Sequence, residues 1–320
     1  MEDGYTLEDL RTRLNDIFSV ENCTLNLYAI IKIDDSFVIK RVSFDGDLTK
    51  TLKEHMEAAI KESNLFGEDV SLKKLSECDD RRNVVCKLDM EIGGELACFV
   101  ELNESHGDNY GVLDLENDLK NIRALVVDID AAGKKMQIYN HIYPTEILGK
   151  KRFIVRVIDN RLRKIDNPLL LINNNFQAIQ VDGSIVVTNI NFIEQHAGYK
   201  KVIREKALAA CASLTAFGCI ENVSYYEDLI EGDNSLARKL SRIVEHSPVI
   251  KNNIPHPTII AFCKSYPSLR NKIKFNNSET QIVLHTKVAM RLILKLFLDD
   301  HLTSELTTLH YESQAKDSVD

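Results

Sequence analysis

The spacing of the apolar residues changes once along this chain, near residue 190, and that change limits the folds it can adopt. Before it, short runs such as CTLNLYAIIKI alternate apolar and polar residues, which is typical of strands with one buried face. After it, helical spacing predicts helices over residues 190–216, 234–246, 256–265 and 279–298. Strands followed by helices indicate an α+β fold, with mainly antiparallel sheet and helices in the C-terminal third.

Three pairs of predicted strands are close enough in sequence to form hairpins. CTLNLYAIIKI precedes SFVIKRVSF, IRALVVDID precedes KKMQIYNHI, and FQAIQV precedes SIVVTN, each across a short turn. Further strands are expected in NVVCKLDM at residues 83–90 and in LACFVEL at residues 96–102. Helical spacing of leucines and other apolar residues predicts helices over residues 6–18 and 48–63.

Charge is distributed unevenly along the chain, whose net charge is −8. Residues 1–120 carry 27 acidic and 14 basic side chains, whereas residues 121–298 carry 15 acidic and 25 basic ones, and residues 299–320 are acidic again. This asymmetry fits an anionic partner for the basic middle, and it fits equally well two halves that pack on each other. We predict an acidic α+β region at residues 1–110 and a second domain at residues 111–320.

The densest basic segment is GKKRFIVRVIDNRLRKID at residues 149–166, with seven Lys and Arg against two Asp. We predict a hairpin in which Asp159 and Asn160 form a two-residue turn, because both residue types tolerate positive φ. This register places Arg156 opposite Arg163, where like charges repel. A bound anion would offset the repulsion, since arginine suits phosphate oxygens. Acidic neighbours on a solvated face would offset it as well.

Two later segments repeat this concentration of basic residues. NSLARKLSRIVEH at 234–246 places three bases on the helix side opposite its leucines. KSYPSLRNKIKF at 264–275 interleaves bases with aromatic residues, which can stack on unpaired nucleobases or anchor a core. An ordinary solvated helix face remains the alternative for the first segment. The residues predicted to contact phosphate groups are Lys150, Lys151, Arg152, Arg156, Arg161, Arg163, Lys164, Arg238, Lys239, Arg242, Lys272 and Lys274.

Sequence signatures of catalysis are sparse. The chain has no glycine-rich phosphate loop, no G-x-S-x-G, no H-E-x-x-H and no cysteine pair at zinc-knuckle spacing. Asp128 and Asp130 share one face of a predicted strand, as the ligands of a metal site would, but a solvated strand edge explains them too. The sequence therefore favours a non-catalytic protein, and it identifies no catalytic residue, no metal ligand set and no cofactor.

Membrane and export signals are also missing from the sequence pattern. The first residues, MEDGYTLEDL, have neither a basic start nor an apolar core. The most apolar run, VAMRLILKLFL at residues 288–298, is too short to span a bilayer core of about 30 Å. We expect a cytoplasmic protein with no direct membrane insertion.

Three segments, DDRRNVVCKLDM, KLSRIVEHSPVI and FLDDHLTSELTTLHYESQAKD, resemble the DUF4868 family, which includes the soluble subunit of the bacterial Kiwa anti-phage system. The resemblance covers most of the chain after Asp79 and is strongest in the C-terminal third. It implies a cytosolic defence protein that binds DNA with little sequence preference and forms a homodimer or a higher oligomer. It also implies a membrane-protein partner subunit, KwaA-like, with which the protein blocks phage replication and transcription. It supplies no catalytic residue.

The resemblance gives the basic residues a specific meaning. The twelve phosphate-contacting candidates become predicted DNA-binding residues, and residues 111–320 become a DUF4868-like body. Two alternatives stay open: a metal-dependent nuclease using Asp128 and Asp130, and a protein-only scaffold whose basic face docks on an acidic partner or an anionic membrane surface. A net charge of −8 is unusual for a DNA-binding protein, although a dimer could bring two basic middles into one groove.

Overall fold

The structure is a computed structural model that divides into two compact units. It describes residues 6–77, 83–90, 92–104, 109–148, 154–165, 167–196 and 198–313. The first unit takes in the described residues up to Leu75 and from Asn83 to Gly198, and the second takes in Ser76, Glu77 and the residues from Tyr199 onward. The division between the units comes after Gly198 and so follows the change in apolar spacing near residue 190 by one short helix. The domain boundary near residue 110 stays a prediction.

The first unit contains most of the sheet structure. Its elements in chain order are α1 (Leu7–Ser19), β1 (Thr24–Ile33), β2 (Ser36–Arg41), α2 (Leu48–Lys61), β3 (Ser71–Lys74), β4 (Val84–Lys87), α3 (Glu95–Glu104), β5 (Ile122–Ala131), β6 (Lys134–His141), β7 (Ile147–Leu148), β8 (Ile154–Ile158), β9 (Arg161–Ile165), β10 (Leu169–Leu170), β11 (Ala178–Val181), β12 (Ser184–Val187) and α4 (Ile190–His196). Eight of these strands join in the order β2-β1-β5-β6-β11-β12-β4-β3. All neighbours in this sheet are antiparallel except β3 and β4.

The predicted hairpins β1–β2, β5–β6 and β11–β12 are confirmed, as are the helices α1 and α2. The helix α1 begins where Thr6 and Asp9 form a reciprocal capping box, which satisfies backbone N–H groups that the first turn leaves free. The mixed α+β class, with mainly antiparallel sheet, is likewise confirmed.

Alternation along the strands gives the large sheet two apolar faces. Met136 and Ile138 of β6 belong to the core that includes side chains of α1 and α2. Tyr139, one position further on, contacts the rings of Phe99 in α3 and Phe192 in α4. Because successive residues of a strand point to opposite faces, the sheet lies between these two helical layers. His141, two residues after Tyr139, shares the face toward α3 and α4.

The strand predicted in LACFVEL is wrong, since this segment forms the helix α3. Leu96, Phe99 and Leu102 are buried, whereas Ala97 and Glu101 are exposed, which is the pattern of a helix with one buried side. A short apolar run does not distinguish strand from helix by its periodicity. The packing of Phe99 on the sheet decides the outcome here.

The second unit is mainly helical. Its elements are α5 (Tyr199–Phe217), β13 (Ile220–Glu221), α6 (Ser224–Ile230), α7 (Asn234–His246), α8 (Pro248–Lys251), α9 (His256–Ser265), β14 (Lys274–Phe275), β15 (Ile282–Val283), α10 (Lys287–Phe297), β16 (His301–Thr303) and β17 (His310–Glu312). The helices predicted over residues 234–246 and 256–265 are confirmed, whereas the one predicted over residues 190–216 is divided into α4 and α5. The helix α10 begins later than residue 279 because β15 pairs with β13 and β14. No helix in the described part of the chain is long and apolar enough to cross a membrane.

Candidate nucleic-acid interface

The predicted basic hairpin is present as a two-stranded ribbon. Among the described strands, β8 and β9 pair only with each other, and their register sets Arg156 opposite Arg163 and Val157 opposite Leu162. Asp159 and Asn160 have φ values of 53° and 61°, which is the left-handed backbone that a two-residue hairpin turn requires. Both the register and the turn are confirmed.

The ribbon is exposed and has two different faces. Residues directly opposite one another lie on the same face, so Arg161 and Arg163 share one face with the backbone position of Arg156. Both arginines of β9 are exposed. The other face carries Val157 and Leu162, whose side chains are 69% and 71% exposed. The arginines of β9 are thus positive charges on an exposed strand.

The remaining DNA-binding candidates lie in three places, one of which is outside the residues that the structure describes. Lys150, Lys151 and Arg152 lie outside the described residues. Arg238, Lys239 and Arg242 are half-buried on α7, and Lys272 and Lys274 are exposed. The structure therefore gathers Arg156, Arg161, Arg163 and Lys164 on one ribbon in the first unit. The other five described candidates belong to the second unit.

Half-burial makes the α7 group a weaker candidate surface than the ribbon. The same helix buries Leu236, Leu240 and Ile243, and the basic residues flank this buried stripe. Long basic side chains commonly pack their methylene groups on a core while the charged end reaches water. The predicted role of these three residues in binding DNA stays a prediction.

Asp128 and Asp130 share one face of β5, as predicted, but each has a local partner. Asn26 Nδ2 donates to Asp128 Oδ2 at 3.3 Å, and the backbone N–H of Gly133 donates to Asp130 Oδ1 at 2.8 Å. Burial raises the pKa of Asp128, while hydrogen bonds from Asn26 and Gln137 oppose the shift. In the described part of the chain, neither aspartate joins a group of three potential metal ligands.

One such group exists elsewhere, on the face of the sheet covered by α3 and α4. It consists of Glu95 at the start of α3, His141 at the end of β6 and His196 at the end of α4. Glu95 Oε2 is 3.3 Å from His141 Nδ1, and Glu95 Oε1 is 3.6 Å from His196 Nδ1. The side chains of Glu95 and His141 are 3% and 4% exposed, and that of His196 is 31% exposed.

The surroundings of this Glu–His cluster are aromatic. The ring of Phe192 stacks on His196, and the rings of His141 and Tyr143 meet edge to face. Burial raises the pKa of Tyr139, and the neighbouring charge of Glu95 raises it further. Burial also lowers the pKa of His196, with a smaller contribution in the same direction from His141.

Sequence reasoning missed the Glu–His cluster because its members are far apart in the chain. No spacing rule joins Glu95, His141 and His196, and each begins or ends an otherwise ordinary element. The local signal available was weak: a glycine pair before Glu95 and a glycine at 198. A Cβ added at Gly198 would be 4.0 Å from the Cα of Gly93, so the chain just after α4 lies close to the chain just before α3.

The fold and the ribbon define a mixed α+β protein that presents concentrated positive charge on an exposed β-hairpin. The chain belongs to the family described as Kiwa protein KwaB-like, whose profile matches residues 119–307. It is also 27% identical over 310 residues to the Kiwa protein KwaB of Escherichia coli O55:H7 (strain RM12579 / EPEC), covering 91% of this chain and 97% of that protein. No solved structure matches the chain.

Family membership confirms the resemblance seen in the sequence, and it supports a role in Kiwa anti-phage defence. The matched residues include the whole β8–β9 ribbon, the α7 group, His141 and His196. Glu95 lies before the residues that the family profile matches. The alignment with the E. coli protein is longer and covers 91% of this chain.

The turn of the ribbon offers a test of its stability. Asn160→Val should destabilise the ribbon by about 1–2 kcal/mol, because a β-branched residue is strained at positive φ, whereas Asn160→Gly should stabilise it. Two-stranded hairpins are marginally stable, so the valine variant should speed amide hydrogen exchange across residues 154–165. Asn167→Val is the matched control, since Asn167 is exposed and lies outside the left-handed region. Equal exchange in both valine variants would contradict the turn geometry.

Proposed function

We propose that this protein is a non-catalytic anti-phage defence protein that binds duplex DNA with little sequence preference through the β8–β9 ribbon. The observation that carries the proposal is the register of the ribbon, which sets Arg156 opposite Arg163 beside the exposed Arg161. Like charges directly opposite one another destabilise a strand pair. A bound polyanion would neutralise these charges and remove the repulsion, and this relief would add to the free energy of binding.

The shape of the ribbon fits the same ligand. The major groove of B-DNA is wide enough to admit a two-stranded β-ribbon, and arginine binds phosphate oxygens through two parallel hydrogen bonds. The strands β8 and β9 contain no Asn or Gln side chain that would read base edges through an amide. Arginine can also read guanine in this groove, whereas phosphate contacts position a protein on DNA without specifying sequence. We propose that the ribbon arginines make phosphate contacts, which predicts weak sequence preference.

The test of this function is fluorescence anisotropy with the purified chain and a labelled duplex of arbitrary sequence, several helical turns long, over a series of salt concentrations. If about six phosphates are neutralised, the logarithm of the association constant should fall with the logarithm of salt concentration at a slope of about −5. Binding should be equal for unrelated sequences. The absence of binding at low salt would reject the proposal and favour the protein-only scaffold.

The nuclease alternative gives a different result in the same assay. It predicts that Mg²⁺ or Mn²⁺ causes cleavage of the duplex and that Asp128→Asn stops it. Because Asn26 and Gln137 already hydrogen-bond to Asp128, we expect no cleavage, and intact DNA after prolonged incubation with either ion is the predicted outcome.

Localisation, self-association and partnership extend this proposal. We propose that the protein is cytoplasmic, that it forms a homodimer or a higher oligomer, and that a KwaA-like membrane-protein subunit holds it at the inner membrane. Two copies would double the number of basic ribbons available to one duplex, and the net charge of −8 per chain would double with them. The benefit is therefore local, because two ribbons can contact one duplex together. Light scattering of the purified chain tests the oligomer, and a monomer at all concentrations would reject it. Co-purification with the membrane subunit tests the partnership.

A further inference from the structure

We propose that Glu95, His141 and His196 form a binding site for one divalent transition-metal ion, for which zinc is the best match. One carboxylate and two imidazoles are a common ligand set for protein-bound zinc. Imidazole also suits copper, nickel and iron, whereas Mg²⁺ and Ca²⁺ prefer all-oxygen sites. The site lies within the first unit and involves none of the basic residues assigned to DNA.

The distances between the donor atoms suit such an ion. Zinc lies about 2.0–2.2 Å from nitrogen and carboxylate oxygen, so two ligand atoms of a tetrahedral site are about 3.4 Å apart. Glu95 Oε2 is 3.3 Å from His141 Nδ1, and the other carboxylate oxygen, Glu95 Oε1, is 3.6 Å from His196 Nδ1. One donor atom from each residue lies within 4.8 Å of the others, which small side-chain rotations would reduce to the tetrahedral spacing.

A second observation independently points to a ligand at this position. Glu95 Oε2 and His141 Nδ1 are buried and make no hydrogen bond of acceptable geometry, although they are only 3.3 Å apart. Burial raises the pKa of Tyr139, and the charge of Glu95 and a hydrogen bond to its carboxylate raise that pKa further. Buried polar atoms are rarely left unsatisfied, and a buried carboxylate without compensation is costly. A dication bound between these atoms would compensate the carboxylate charge and use the imidazole lone pair.

The walls of the site would favour retention of the ion. The rings of Phe99 and Phe192 pack against Tyr139, and Phe192 also stacks on His196. An apolar shell of this kind limits access of solvent to a bound ion. Such packing explains why the three donors already converge in the structure.

The opposite side of His141 is polar. His141 and Tyr143 line a cavity of about 330 Å³ together with Asn173, Gln177 and Asn189, and Gln177 Oε1 accepts a hydrogen bond from the His141 backbone N–H at 2.6 Å. Three protein ligands leave a tetrahedral ion one position for water or another small ligand. Of the three proposed ligands, only His141 is among the residues that line this cavity.

The experiment is calorimetric titration of the full chain with Zn²⁺ after removal of metal by a chelator, followed by visible absorption spectroscopy with Co²⁺. We expect one ion per chain. His196→Gln and Glu95→Gln should each weaken Zn²⁺ binding by at least about 100-fold, since even outer-shell changes cost 10- to 100-fold. His285→Gln is the matched control, because His285 is an exposed histidine outside the cluster.

Circular dichroism of each variant separates loss of the site from loss of the fold. Glu95 is buried and its substitution carries a risk of unfolding, whereas the His196 side chain is 31% exposed, so His196→Gln keeps the test decisive. Added Zn²⁺ should raise the Tm of the unmodified chain and not that of His196→Gln. Failure of the unmodified chain to bind Zn²⁺ or Co²⁺, or equally tight binding by folded His196→Gln, would overturn the proposal.

Discussion

Reversing the two exposed arginines of β9, by Arg161→Glu together with Arg163→Glu, is expected to weaken binding to a DNA duplex by at least about 100-fold at moderate salt. Both residues lie on an exposed strand, so the loss should not come from unfolding. Each phosphate contact removed should also reduce the salt slope by about 1, and the double variant therefore by about 2. Anisotropy titrations at several salt concentrations measure both quantities.

The control is a charge reversal of the same size at two other exposed sites, Lys50→Glu with Lys201→Glu. These side chains are 86% and 84% exposed, and their ion pairs with Glu54 and Glu205 are long, at 3.8 Å and 3.9 Å. Such pairs contribute little to stability, so this variant should fold and should bind DNA almost normally. Equal losses in the two variants would mean that net charge alone matters. Normal binding by the β9 variant would reject the ribbon as the interface.

Replacing Phe99 by alanine is expected to destabilise the first unit by about 3–5 kcal/mol. The side chain is fully buried on α3, and its ring packs edge to face on Tyr139 at 5.5 Å between centroids. Truncation leaves a cavity between the helix and the sheet that the rigid strand β6 cannot fill. Urea unfolding followed by circular dichroism measures the loss, and hydrogen exchange of the peptides from β5 and β6 assigns it to the first unit.

Phe37→Ala provides the matched comparison, because Phe37 lies on the edge strand β2 and is only half-buried. It removes the same atoms and should cost much less. Similar costs for the two substitutions would contradict the assignment of α3 as the helix that covers this face of the sheet. A strand at residues 96–102, which the apolar run alone suggests, would place Phe99 differently.

The β8–β9 ribbon shows what local sequence can predict. Its register follows from the position of Asp159 and Asn160, since a two-residue turn fixes which residues face each other. The sequence alone therefore places Arg156 opposite Arg163, and the observed register confirms this pairing. The spacing of residues predicts which arginines face each other, but it does not predict whether they bind DNA.

The α3 helix shows where local sequence fails. LACFVEL contains too few residues to display a period, and its apolar residues suit a buried strand or the buried side of a helix. The sheet decides, because its face beside Tyr139 needs a covering layer and Phe99 supplies part of that layer from a helix. Tertiary packing overrides weak local preference in such segments.

The sequence by itself determined the α+β class, the three main hairpins, the basic ribbon and its turn, and the resemblance to the KwaB-like family. Each of these depends on residues that are close together in the chain, or on short segments whose sequence resembles that of a known family. Only the tertiary structure decided that α3 is helical and that Glu95, His141 and His196 meet. The reason is physical: the sheet brings the ends of three elements to one point, and no pattern within any one of them records where the other two lie.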